Sequence, residues 1–250
     1  MNITQTFYDN LAAHYDKLFA DWHTATREQA LILDDLFRVE GFDSSARILD
    51  CACGIGTQAV GLAALGYDVT GSDFSLGALE EARRRTDMPI RFCQADFRAL
   101  EAVFEETYDI VIAMDNALPH MLTREDMLTA VKSILSRVRD DGIFAASIRD
   151  YDALLETRPP YSPPYIHKRG QGQRVSFQTW NWEGECYDLI QYIIDDGVSL
   201  DISKFECRYW AVRREVLTGL LTEAGCKKVE WKFPEETGFY QPIVVARKQI

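Results

Sequence analysis

An apolar run, Ala46 to Leu49, ends in the carboxylate of Asp50 and passes into Cys51-Ala52-Cys53-Gly54-Ile55-Gly56-Thr57. The small-residue helical stretch Gln58 to Leu65 follows. A strand, a tight turn and a helix N-terminus in that order let a backbone approach a ligand closely. A second apolar run, at Val69 and Thr70, leads to Asp73 in Gly71-Ser72-Asp73-Phe74-Ser75. An acid at the end of a second strand suits a ribose, whose two hydroxyls both donate to it. Further strand patterns near 90–95, 108–114 and 142–149 alternate with helical stretches, which predicts a parallel α/β sheet.

Two ligand classes compete for such a loop. Gly54-Ile55-Gly56-Thr57-Gln58-Ala59 reads as G-x-G-x-x-A, which a dinucleotide-binding turn tolerates. Asp50, four residues before the first glycine, separates the two. A pyrophosphate is repelled by an extra anion beside the helix N-terminus, whereas a ligand with an ammonium and a sulfonium is attracted. The run Asp50 to Gly56 resembles motif I of the class I S-adenosylmethionine-dependent methyltransferases, D-x-[AG]-x-G-x-G. Gln94-Ala95-Asp96-Phe97, Tyr108 to Met114, and Arg139-Asp140-Asp141-Gly142-Ile143-Phe144 resemble later strands of that family in order and spacing.

The resemblance covers nearly the whole chain and implies a fold and a cofactor. The fold is α/β, a Rossmann-like seven-stranded, mostly parallel sheet with helices on both faces. A helical arm over 1–44 precedes a core over 45–155 and 213–250, and a loop with an antiparallel β insertion over 156–212 caps the substrate. S-adenosyl-L-methionine is the implied cofactor, with S-adenosyl-L-homocysteine as product. Asp50 and Gly54 frame its methionine part, Asp73 takes the ribose, and Asp96 receives the adenine amine. Ala52, Phe74, Ala95, Phe97 and Met114 are further cofactor positions. On the arm, Arg27 matches a family arginine that meets the methionine carboxylate. Tyr15 and Trp22 match aromatics that close over the cofactor.

Within the family the chain looks closest to the glycine/sarcosine N-methyltransferases. Three segments carry this: Asp115-Asn116-Ala117-Leu118-Pro119-His120-Met121, Ser147-Ile148-Arg149-Asp150-Tyr151-Asp152, and Phe239 to Arg247. In that group the Asn and the Arg hold the substrate carboxylate. Arg149 also stands at the carboxyl end of a strand, where α/β sheets bind ligands, and its planar fork matches a carboxylate. An ion pair with Asp150 or Asp152 is the competing reading. Asn116 is a substrate contact or a turn residue. His120 orients substrate, accepts a proton, or makes a structural hydrogen bond. Tyr192 fits a family tyrosine that contacts substrate or methyl, or is a core aromatic. Arg208 is an alternative substrate cation.

The bulk numbers narrow the rest. With 250 residues, 47% hydrophobic, the chain can bury a real core. A net charge of −12 opposes nucleic-acid binding, which needs a basic footprint. No apolar stretch approaches the roughly 20 residues of a bilayer span. The start Met1-Asn2-Ile3-Thr4-Gln5 lacks signal-peptide character, so a cytoplasmic location is expected. The six cysteines form no C-x-x-C pair and histidine is scarce, so no metal site is expected. The expected partner is a small molecule, and self-association is left open. The leading function is methyl transfer to an amine of a small, carboxylate-bearing molecule. The alternatives are methylation of a bulkier metabolite on N or O, a nicotinamide-dependent oxidoreductase, and a non-catalytic binding module.

Overall fold

A computed structural model describes residues 3–169 and 172–248. The chain begins with α1 (Ile3–Leu11), a tight 3-10 stretch (Ala12–Leu18) and α2 (Trp22–Val39). The core follows as β1 (Arg47–Asp50), α3 (Thr57–Ala64), β2 (Asp68–Asp73), α4 (Leu76–Arg84), β3 (Arg91–Gln94), β4 (Tyr108–Ala113), α5 (Arg124–Ser136) and β5 (Val138–Ser147). After α6 (Tyr151–Thr157) come β6 (Tyr165–Arg169), β7 (Gly172–Glu183), β8 (Cys186–Asp196) and β9 (Leu200–Trp210). The chain closes with α7 (Arg214–Glu223), β10 (Cys226–Lys232), α8 (Pro234–Thr237) and β11 (Ile243–Lys248).

Seven strands form one sheet in the order β10-β11-β5-β4-β1-β2-β3. Pairs among β1 to β5 are parallel, and β11 runs antiparallel to both β5 and β10. Strand parity splits the core in two. Ile48, Ile110, Ile112 and Ala145 pack with Leu33 and Phe37 of α2 and with Leu62 of α3. Leu49, Val111, Ala113 and Phe144 pack with Met127 and Val131 of α5 and with Leu217 of α7. Helices therefore cover both faces, as the alternating pattern predicts.

The helix starts follow their caps. Ser75 Oγ accepts from Ala78 N at 3.0 Å, and Thr123 Oγ1 accepts from Asp126 N at 3.1 Å. The α2–α3 contact is close enough to need a glycine. A Cβ on Gly61 would stand 2.5 Å from Thr26 O and 2.7 Å from Ala30 Cβ. Gly61→Ala is expected to cost about 1–3 kcal/mol by overpacking. Urea unfolding checks this, and an unchanged midpoint would contradict it.

Two segments depart from the sequence expectation. The arm is not one cover: α2 is a layer of the core, and only α1 and the 3-10 stretch lie over the strand ends. The proline-rich stretch read as a loop carries a strand, β6, just after Pro163 and Pro164, so the second sheet has four strands, β6-β7-β8-β9. Gly170 and Gln171 of that stretch lie outside the described residues. Among the described residues, no helix is long and apolar enough to cross a membrane, and no cluster of His, Cys, Asp and Glu is suited to a metal.

Candidate active site

The loop after β1 forms the floor of a cavity at the carboxyl ends of β1, β2 and β4. Gly54 and Gly56 have φ of +52° and +88°, a left-handed backbone that glycine adopts at no steric cost. A Cβ on Gly54 would meet no atom within 4 Å, so its backbone faces open space. Asp73 Oδ2 accepts from Gly54 N and Oδ1 from Ser75 N, each at 2.9 Å. This ties the second strand to the loop and aims the carboxylate into the cavity. Burial pushes the Asp73 carboxyl up to about 6, against the pull of those amides.

Asp50 is fully buried beneath the loop, and its Oδ2 has no hydrogen-bond partner among the described residues. Burial raises its carboxyl well above the usual range. A buried, half-satisfied carboxylate is a place where a ligand cation is favoured. The residues therefore fit a cofactor with an ammonium at one end and a ribose further along. Ala52, Phe74, Ala95, Asp96, Phe97 and Met114 line the same cavity. Asp96 is held by Arg98 through three hydrogen bonds of 2.5–3.1 Å. Burial works the other way, but this pairing keeps Asp96 below the usual carboxylate range.

The arm closes the cavity. Ile3, Thr4, Tyr8 and Tyr15 line it from above. Asp9 Oδ1 accepts from Ser75 Oγ at 2.6 Å and Gly77 N at 3.2 Å, docking α1 on the start of α4. Tyr8 Oη and His120 Nε2 share a hydrogen bond of 2.9 Å. His120 is 8% exposed, and burial pushes its pKa down to about 3. An imidazole that weakly basic is neutral near pH 7.

A second, larger cavity adjoins the first. Tyr8, Tyr15 and Asp115 line both, so the two meet there. Asp115 and Asn116 follow β4 with φ of 55° and 68°. Left-handed backbone at two consecutive non-glycine residues costs on the order of 1–3 kcal/mol each. Ser147, at the end of β5, holds the pair: Asp115 N donates to its Oγ at 2.8 Å and Asn116 N to its carbonyl at 3.1 Å. Asp115 accepts from Tyr240 Oη at 2.6 Å and Gln58 Nε2 at 3.0 Å.

Arg149 enters this second cavity from the end of β5. Its guanidinium donates to Tyr187 Oη at 3.0 Å and Gln178 Oε1 at 2.9 Å. It lies 5.1 Å from the Trp180 ring and 5.6 Å from the Tyr209 ring. It makes no ion pair among the described residues. The two acids beside it are committed elsewhere: Asp150 to Arg214 at 2.5 Å, and Asp152 to Arg214 at 3.2 Å and Arg213 at 3.9 Å. Asn116 Oδ1 accepts from Arg149 N at 3.1 Å, and its Nδ2, though buried, has no partner among the described residues.

Four residues expected at the site lie elsewhere. Tyr192 is on the outer face of the four-stranded sheet, stacked on Phe177 at 5.0 Å, because strand parity turns Tyr187, Leu189 and Gln191 inward instead. Arg208 is on the same outer face and pairs with Asp188 and Glu183. Arg27 is exposed, since α2 buries Trp22, Thr26, Gln29 and Ala30 on its inner side. Arg27→Ala is expected to leave cofactor affinity within about twofold; calorimetry giving a tenfold loss would contradict the placement. Trp22 lines neither cavity and instead donates from Nε1 to Thr57 Oγ1 at 3.0 Å, anchoring α2.

Sequence reasoning did not single out Gln178, Tyr187, Gln58, Asp115 or Tyr8. Gln58 and Asp115 stood beside motif residues, but Gln178 and Tyr187 carried no local signal. Asp50 supports the loop from behind rather than lining the cavity.

A sequence profile described as a methyltransferase domain matches residues 48–142. The chain is 26% identical to a glycine/sarcosine N-methyltransferase of Parasynechococcus marenigrum (strain WH8102), over 90% of this chain and 77% of that one. It is 23% identical to another from Aphanothece halophytica, over 89% and 80%. Among solved structures, an amino pentose methyltransferase from Micromonospora echinaspora, CalS10, superposes with a TM-score of 0.75. It covers 95% of each chain at 18% identity, a likeness of fold.

Proposed function

Since this chain is a class I S-adenosylmethionine-dependent methyltransferase, we propose that its acceptor is the amine of a small molecule bearing a carboxylate. One observation carries the proposal: Arg149 presents a guanidinium without a carboxylate partner to the cavity that adjoins the cofactor's. Two of its five N–H groups are used, and the others suit a planar anion. The unpartnered Asn116 Nδ2 offers one more donor nearby. The names of the two curated relatives, which specify glycine and sarcosine, support the same reading.

Bound S-adenosylmethionine supplies an electrophilic methyl group on a sulfonium. The protein's part is to hold the amine in line with that methyl and to keep water out. Arg149 anchors the carboxylate end, leaving the amine to reach the seam at Tyr8, Tyr15 and Asp115. An amine must be neutral to attack, so the acceptor's ammonium must first lose a proton. The charge on Arg149 favours that loss, because like charges repel.

Tyr8 shapes the seam through its hydrogen bond to His120. Tyr8→Phe is expected to lower kcat by about 2- to 10-fold, the worth of one hydrogen bond. Steady-state kinetics checks this, and an unchanged kcat would remove Tyr8 from the reacting geometry. The acceptor itself is tested by S-adenosylhomocysteine formation over matched pairs of amino-carboxylates and the same amines lacking the carboxylate. Turnover is expected for the carboxylates; equal turnover of both would overturn the reading.

A further inference from the structure

The acceptor cavity is far roomier than an amino acid without a side chain requires. Its volume is about 740 Å³, against about 230 Å³ for the cofactor cavity measured alike. Cavities of roughly 300–1,000 Å³ hold drug-sized ligands. Glycine has five heavy atoms and would share this space with on the order of ten or more waters, each occupying about 30 Å³. Methyl transfer is favoured where water is excluded.

The walls point the same way. Arg149 is stacked against Trp180 and Tyr209, which makes one end of the cavity the anion end. Leu18, Phe19, Tyr165 and Phe233 also line the cavity. Tyr165 and Tyr240 are 65% and 57% exposed, and Phe233 is 37% exposed, so the rim carries open aromatic surface. Aromatic surface left open around a concave site gains free energy when an apolar body covers it.

We propose that the acceptor is an amino-carboxylate with a large apolar body, aromatic in its best form, and not glycine. The inference rests on the carboxylate reading above. The carboxylate is held at Arg149, the amine reaches the Tyr8–Tyr15–Asp115 seam, and the apolar body covers the aromatic rim.

The test uses the full-length enzyme with S-adenosylmethionine and three acceptors: glycine, phenylalanine, and 2-phenylethylamine, which lacks the carboxylate. The expected kcat/KM for phenylalanine is at least about tenfold that for glycine, as pocket filling by several carbons gives. Phenylalanine is also expected to exceed 2-phenylethylamine by about 100-fold. Glycine turned over as well as phenylalanine overturns the inference and leaves the carboxylate reading standing. Phenylethylamine turned over as well as phenylalanine overturns the carboxylate reading on which it rests. Silence of the whole panel from an enzyme that binds the cofactor overturns both.

A rim variant gives an independent arm. Ala20 is exposed and borders the cavity. Ala20→Trp is expected to lower kcat/KM for phenylalanine about tenfold while S-adenosylhomocysteine affinity stays unchanged. An undiminished rate on phenylalanine counts against an apolar body lying at that rim.

Discussion

Arg149→Leu is expected to lower kcat/KM for an amino-carboxylate by about 100-fold or more, while affinity for S-adenosylmethionine stays within about twofold. The size follows from where the guanidinium sits. Its neighbours are Tyr187, Gln178 and the faces of two aromatic rings, none of them an anion. The acceptor's carboxylate would thus be its first charged partner, in surroundings where water competes poorly. Arg149→Lys keeps the charge but loses the fork, so it is expected to recover about tenfold of the loss. Collapse of the cavity would give no such recovery. Steady-state kinetics with calorimetry on the same samples separates the cases, and a near-native Leu variant would remove Arg149 from acceptor binding.

Asp73→Ala is expected to weaken cofactor binding by about 100-fold, with the change confined to affinity for S-adenosylmethionine and S-adenosylhomocysteine. Asp73 does two things at once. It fixes Gly54 N and Ser75 N, and its remaining lone pairs face the cavity. Each hydrogen bond to an ionised group is worth about 1.5–3 kcal/mol, and a ribose supplies two. The same residue sets a pH dependence. Its pKa without ligand is about 6 because it is buried, and ribose hydroxyls favour the ionised form. Affinity is then full above about pH 6 and falls as pH drops through it, because the ligand must displace a proton. Calorimetry at about pH 5 and about pH 8 reads the difference; equal affinities would mean that the Asp73 carboxylate does not meet the cofactor.

The loop geometry of the first cavity was legible because it is local. Asp50 to Thr57 is one strand–turn–helix unit, and Asp73 closes the next. Side-chain placements there follow from a few residues of sequence. The second cavity is assembled across the chain: Arg149 meets Gln178 and Tyr187, 29 and 38 residues away. No local pattern announces such a meeting.

Parity decided the errors. Tyr187 and Tyr192 lie on one strand five residues apart, and an odd separation puts them on opposite faces. Arg208 stands one residue from Tyr209 and is turned out for the same reason. On α2, Arg27 fell outside because the helical period brings Thr26 and Gln29 inward. β6 was hidden because the four prolines of its neighbourhood read as a loop, and the strand begins where they end. Asn116 was recognised for its residue type, but the left-handed backbone at Asp115 and Asn116 and its clamp by Ser147 depend on the distant β5 end.

The claim that joins these parts is that the acceptor's carboxylate sits on Arg149 while its amine faces the cofactor. A crystal structure with S-adenosylhomocysteine and the best-turned-over acceptor measures this directly. The expected density places the carboxylate oxygens about 2.7–2.9 Å from the Arg149 guanidinium nitrogens, with the amine at the Tyr8–Tyr15–Asp115 seam. Density that seats the acceptor in this cavity with Arg149 left uncontacted would contradict it.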